Sequence, residues 1–239
     1  MDHKRLTPEL LSEYSVAALK NAAELLMEAL LLYQNKHLAR AYFLAVASIE
    51  EGGKAYLAFD CQGRNLKDSA VVSKVLRSME DHQTKITNAF AAWLIASPNK
   101  RDSFTPAIDL MIHLRRGREP SMYTDLILQT GAVQVPARAV RERAALDCIR
   151  LAANCLIHTQ KHLAEKKPEA RSVAEDKLFA MKKGRFQKIG NTEDFWWYYL
   201  EQMKGGNADL ALAVVTYHES YMQKGLQYGK RPDGLGGDP

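Results

Sequence analysis

The stretch Ser48-Ile49-Glu50-Glu51-Gly52-Gly53-Lys54 sets two carboxylates, two glycines and a lysine inside an alanine-rich apolar segment. Around it, Leu38, Ala41, Tyr42, Ala45, Ile49, Ala55 and Tyr56 recur at spacings of three and four, which predicts a helix from roughly His37 to Phe59. Charged side chains enter a core only when they are paired. Glycine inside a helix costs about 1 kcal/mol against alanine. Two arrangements satisfy these constraints. Glu50 and Lys54, four residues apart, can form a solvated helix ion pair worth a few tenths of a kcal/mol. Alternatively, Glu50 or Glu51 and Lys54 reach His82, Lys85 or Tyr123 on facing segments, and the glycines admit a close neighbour. The apolar flanks favour the internal network.

The rest of the chain also reads as helix. Thr7 is an N-cap with Pro8 at the first helical position, and apolar residues continue at helical spacing to about Tyr33. Gln34-Asn35-Lys36 breaks the pattern, so the first two helices form an antiparallel hairpin. A third helix is expected over Ser69 to Ala96, a fourth over Pro106 to Leu114 and a fifth over Pro136 to Ala164. Ser121 to Gln134 reads as irregular, and nothing alternates with period two for long enough to make a strand. Lys166-Lys167-Pro168-Glu169 marks a boundary. Weaker helical patterns follow near Ala170–Met181, Glu193–Met203 and Ala208–Lys224. The expected architecture is all-α: an up-and-down helical bundle over residues 1–166, a helical C-terminal extension over 167–228 and a disordered tail over 229–239.

No run of 18 apolar residues occurs, so no membrane span and no membrane partner are expected, and the N-terminus lacks the apolar stretch of a signal peptide. Three cysteines without framework spacing, Cys61, Cys148 and Cys155, suit a reducing cytoplasm. The net charge of +5 permits contact with nucleic acid without demanding it.

Four stretches together resemble the AbiV family of abortive-infection proteins, within the HEPN superfamily of helical bundles. They are Leu19-Lys20-Asn21-Ala22-Ala23-Glu24-Leu25-Leu26, the run from Ala39 to Lys54, Asp81-His82-Gln83-Thr84-Lys85-Ile86, and Arg116-Gly117-Arg118-Glu119-Pro120-Ser121-Met122-Tyr123-Thr124-Asp125. Gly52 stands beside Gly53, and Met122 and Thr124 replace the family's leucine and valine. The last 70 or so residues lie outside the resemblance. It implies an HEPN-like bundle, a homodimer and a place in prokaryotic anti-phage defence. Many HEPN proteins are metal-independent endoribonucleases whose signature is an arginine followed, after four to six residues, by a histidine.

Arg77-Ser78-Met79-Glu80-Asp81-His82 carries that spacing. A histidine can move a proton at a ribose 2′-OH, and a guanidinium can stabilise the charge on a pentacoordinate phosphate. Five residues apart on a straight helix, the two side chains point about 140° apart, so they share a site only at a kink or across a dimer. Otherwise Arg77 pairs with Glu80 or Asp81 on a solvated face. The catalytic candidates are therefore Arg77 and His82, with Glu50 and Lys54 positioning them. The candidates for binding RNA or phosphate are Lys85, Arg115, Arg116, Arg118, Tyr123 and Asp125. His158 and His162 have zinc-ligand spacing but no third ligand, so neither metal nor cofactor is expected. Phe195-Trp196-Trp197-Tyr198-Tyr199 is expected to plug the extension onto the bundle or to meet a partner. The implied activity is RNA cleavage or interference with translation. The alternative is a catalytically silent helical module that binds a phage or host protein, or a nucleotide.

Overall fold

A computed structural model describes residues 6–96, 114 and 118–229. The expected helix over Pro106 to Leu114 lies, except for Leu114, outside the described residues, as do Arg115, Arg116 and the tail beyond Gly229.

Helix α1 (Pro8–Gln34) starts as its sequence demands: Thr7 accepts the Leu10 N–H on its side chain, and Pro8 opens the first turn. Its C-terminus closes with Lys36 in the left-handed region, φ 62°, while the His37 N–H donates to Leu32 O. This turn reverses the chain into α2 (Leu38–Cys61). Alanines line the seam between the two helices, Ala18, Ala22 and Ala29 on α1 and Ala41, Ala45 and Ala55 on α2, all buried. Small side chains bring the backbones close enough for two buried serines to cross. Ser48 Oγ donates to Ala22 O and Ser15 Oγ to Ala55 O, each at 2.7 Å.

The expected third helix is two helices. It breaks at Asp81 into α3 (Ser69–Glu80) and α4 (His82–Ala96). Asp81 accepts the Thr84 N–H and hydroxyl on its carboxylate, which is N-cap behaviour that periodicity does not register. A helical segment at 118–122 leads into β1 (Asp125–Ile127), paired antiparallel with β2 (Ala132–Gln134). This ribbon corrects the expectation of an irregular segment without strands. Each strand has only three residues, too few for alternation to be read. The expected fifth helix likewise divides, into α5 (Pro136–Ala139) and α6 (Glu142–Glu165). Val140 is extended between them. The core of this unit joins α1, α2, α4 and α6 around Val46, Ile49, Phe90, Leu114, Ile149 and Cys155.

Backbone contacts divide the chain into two compact units, Met1–Gly63 with Val75–Glu169, and Arg64–Lys74 with Ala170–Pro239. In the second unit, α7 (Val173–Ala180) starts in a capping box made by Ser172 and Glu175. Helices α8 (Lys183–Gly190), α9 (Glu193–Lys204) and α10 (Leu210–Ser220) follow. α8 has no counterpart among the expected helices. Lys183-Gly184-Arg185 opens it without a side-chain cap, and only Ile189 is buried. Buried Asp176 ties the chain at 64–65 to this unit, meeting Arg64 Nη1 at 3.2 Å and the Asn65 N–H at 2.9 Å. Phe195 and Tyr198, expected to plug the extension onto the bundle, are instead core residues of this unit, packed with Ile189, Val214 and Tyr217.

Asp194 fastens the end of the unit. Its carboxylate accepts the Tyr217 hydroxyl and the N–H groups of Tyr228 and Gly229 at 2.7–2.8 Å. Burial alone would raise its pKa, but these donors outweigh that and hold the carboxyl below its usual range. A depressed carboxylate contributes stability above its unfolded pKa and loses it as pH falls through the folded value. Asp194→Asn should therefore weaken the tyrosine-rich near-ultraviolet CD transition at neutral pH. The gap from wild type should close below about pH 4. Parallel acid profiles for the two proteins would contradict this role.

Candidate functional site

Glu50 is buried on the face of α2 that meets α4, and three nitrogen-bearing side chains converge on it. His82 Nδ1 lies 2.7 Å from Oε2, Lys85 Nζ lies 3.0 Å from the same oxygen, and Arg118 Nε lies 3.0 Å from Oε1. Two local features build the cluster. The break at Asp81 makes His82 the first residue of α4, so His82 and Lys85, three apart, lie on one helix face. Gly53 then lets α4 approach α2 backbone to backbone. A Cβ at Gly53 would stand 1.9 Å from the Lys85 carbonyl oxygen. The close approach is what carries the Lys85 ammonium and the His82 ring to a carboxylate one turn away on α2.

The site grades from dry to wet. Glu50 and Lys85 side chains are 8% and 6% exposed, Arg118 is 24% exposed and His82 is 51% exposed. The pair at the base is desolvated, and the imidazole forms the mouth. Lys85 and Arg118 bring two cationic side chains to the one carboxylate they touch. Arg118 is close to Oε1, yet its N–H does not line up on that oxygen. Among the described residues Oε1 has an ion partner and no aligned hydrogen bond. The guanidinium also lies over the Phe43 ring, 5.9 Å from its centroid. It is free to turn toward a ligand while Lys85 still holds Glu50. Next to His82, Asp81 contributes a negative charge, and its carboxylate is engaged by Thr84. Those contacts lower its pKa against the effect of burial.

A carboxylate can only accept, so the contact with Glu50 places a proton on Nδ1 and leaves Nε2 as the nitrogen that can exchange one. The ring is half exposed, and no hydrogen bond to Nε2 is formed among the described residues. An imidazole held at Nδ1 beside two cationic side chains can exchange a proton with the 2′-hydroxyl of a bound ribose.

Several sequence candidates stand elsewhere. Arg77 lies on the exposed side of α3, and its carbonyl accepts the Asp81 N–H. The chain does break between Arg77 and His82, but the arginine brought to Glu50 is Arg118. Lys54 pairs with Glu51 rather than with Glu50 or His82, because a spacing of three on one helix is closer than the facing helix. Burial would lower the Lys54 pKa, but its bond to Glu51 and the Glu51 charge leave it raised. Tyr123 is exposed beyond the 118–122 segment, which corrects its expected place in the network. Asp125 is exposed in β1, and its carboxylate accepts its neighbour's N–H. His158 stacks on Trp93, and His162 packs against Tyr56 and Phe59. Both imidazoles are held below their usual pKa, chiefly by burial. The role of Arg118 beside Glu50 was missed because the partners are 68 residues apart and no periodicity links them.

The second helix of the bundle thus carries a buried acid met by a histidine and two cations from later segments. The model of the AbiV family matches residues 10–157, and the chain belongs to that family. Membership suggests an abortive-infection, anti-phage HEPN protein. No curated protein and no solved structure matches the chain. No helix among the described residues is long and apolar enough to cross a membrane.

Proposed function

We propose that this protein acts in anti-phage defence as an endoribonuclease that needs no metal, with His82 as its acid/base. The observation that carries the reading is the 2.7 Å contact between Glu50 Oε2 and His82 Nδ1, on a ring half open to solvent. In this reading Nε2 takes the proton of a ribose 2′-OH. The 2′ oxygen bonds to phosphorus, the bond from phosphorus to the 5′ oxygen breaks, and that oxygen takes a proton from water or from the histidine of a second copy. Arg118 and Lys85 stabilise the extra negative charge on the phosphoryl oxygens. The products end in 2′,3′-cyclic phosphate and 5′-OH. Glu50 is a positioning residue, and the protein is read as a cytoplasmic homodimer.

Purified protein incubated with labelled RNA should release fragments with cyclic phosphate ends. His82→Ala should lower the rate at least a hundredfold with unchanged helical CD, because general acid–base catalysis contributes about 10²–10⁴. Undiminished cleavage by His82→Ala would reject the assignment.

A second reading, an interaction module, is favoured by one feature. Leu126 and Val133 pair across the β-ribbon and are both exposed, with Leu128 beside them. If that reading holds, Leu126→Asp should abolish phage protection in cells while His82→Ala preserves it.

A further inference from the structure

A groove of about 730 Å³ opens at the α1–α2 turn, between α2 and the segments that flank the β-ribbon. Its apolar walls include Leu38, Phe43, Met122 and Pro136. Lys36, His37 and Arg40 also line it, and no acidic residue does among the described residues. Glu142 sits at the rim, held by Lys36 at 2.7 Å. Polar groups are few. The Ser121 hydroxyl donates to Arg118 O at 2.6 Å, and Thr124 is exposed.

The groove and the Glu50 site share α2, and Arg118 contacts both Glu50 and the groove residue Phe43. Phe43 and Glu50 are seven residues apart on α2, which places them on one face about 10 Å apart along the axis. Arg118 spans the interval, with its Nε 3.0 Å from Glu50 and its guanidinium over the Phe43 ring. An apolar slot with an aromatic wall and a cationic rim suits a flat base that carries a phosphate. A distance of about 10 Å from Glu50, which holds the acid/base, is within the reach of one or two nucleotides. An acidic peptide would satisfy the rim charges but brings no flat ring for the aromatic wall.

We propose that this groove is a base-binding subsite: an unpaired base of a single RNA strand lies against Phe43 and Met122, and the phosphate joining it to the scissile nucleotide rests on Arg118. The inference builds on the ribonuclease reading and adds to it a specificity pocket.

The test is a binding measurement, independent of turnover. His82→Ala protein is titrated with a fluorescent single-stranded oligoribonucleotide, and an abasic residue is moved through the strand one position at a time. One abasic position should weaken binding roughly tenfold, the size of a single base–aromatic stack. In His82→Ala/Phe43→Leu protein that same position should matter less than twofold, because the lost stack can be lost only once. Equal sensitivity at all positions, or a full tenfold effect in the Phe43→Leu background, overturns the subsite and leaves the ribonuclease reading intact. Position-specific binding by a wild type that cuts no RNA supports the subsite and rejects the ribonuclease. No RNA binding at all, with capture of an acidic peptide instead, overturns both.

Discussion

Gly53→Ala should destabilise the N-terminal unit, whereas Gly52→Ala, one residue away, should stabilise it. The added methyl at Gly53 would stand 1.9 Å from the Lys85 carbonyl oxygen, 2.7 Å from its carbon and 3.2 Å from the Ala89 nitrogen. All three are backbone atoms of α4, so no flexible side chain can swing aside. The helix itself must retreat, and with it go Lys85 and His82, the two groups α4 delivers to Glu50. Overpacking of this kind costs about 1–3 kcal/mol, and strain in the buried ion pair adds to it. At about 2–4 °C per kcal/mol for a chain of this size, the melting temperature should fall by roughly 4–10 °C. At Gly52 no atom of another segment among the described residues lies within 4 Å of the added methyl. Alanine there removes the helix penalty of glycine and should add about 0.5–1 kcal/mol. Thermal melts of the two variants followed by CD at 222 nm test the pair. Shifts in the same direction would show that the contact between α2 and α4 is not what Gly53 serves.

The opposed behaviour of adjacent glycines also marks how far the sequence could be read. The Glu50-to-Lys54 stretch was conspicuous because it violates helix and core rules together, and such violations point to long-range contacts without naming them. The hairpin of α1 and α2 was legible from Thr7, Pro8 and the break at 34–36, where local chemistry sets the ends. Glu50, His82 and Lys85 could be grouped because each sits on a segment with its own pattern. The break at Asp81 was hidden, since no glycine or proline marks it and only the Asp81 cap interrupts the backbone. Arg118 was legible as a basic residue and not as a partner of Glu50, because nothing local fixes where the 118–122 segment packs. The aromatic run at 195–199 reads as a plug or a partner patch because it is the densest aromatic run in the chain. Trp196 is exposed while Phe195 and Tyr198 close their own core. That core forms only once α8 and α10 are in place, and α8 left no pattern to see.

Glu50→Ala should be the most destabilising single change at the site, and its partners should rank by burial. Lys85 is 6% exposed and its ammonium meets the Glu50 carboxylate at 3.0 Å. Removing the acid strands that ammonium in a dry interior, where losing one member of a buried pair costs about 3–5 kcal/mol. Arg118 and His82 are more open and can turn to water when the carboxylate is gone. The reverse change is gentler. Lys85→Met leaves Glu50 with Arg118 and His82, so the carboxylate keeps partners. A Glu50→Met/Lys85→Met double variant should recover most of the loss of Glu50→Ala, because replacing a buried pair with apolar side chains of similar volume is often neutral or better. His82→Ala should stay within about 0.5 kcal/mol of wild type, as befits a half-exposed ring. Chemical denaturation of the four variants measures the ranking, and RNA cleavage on the same samples separates the roles. The double variant should be folded and inactive, since its histidine has lost the carboxylate that places a proton on Nδ1. A double variant that is as unstable as Glu50→Ala would mean that Lys85 is not the charge Glu50 exists to hold. One that is folded and still cleaves RNA would remove Glu50 from the catalytic account.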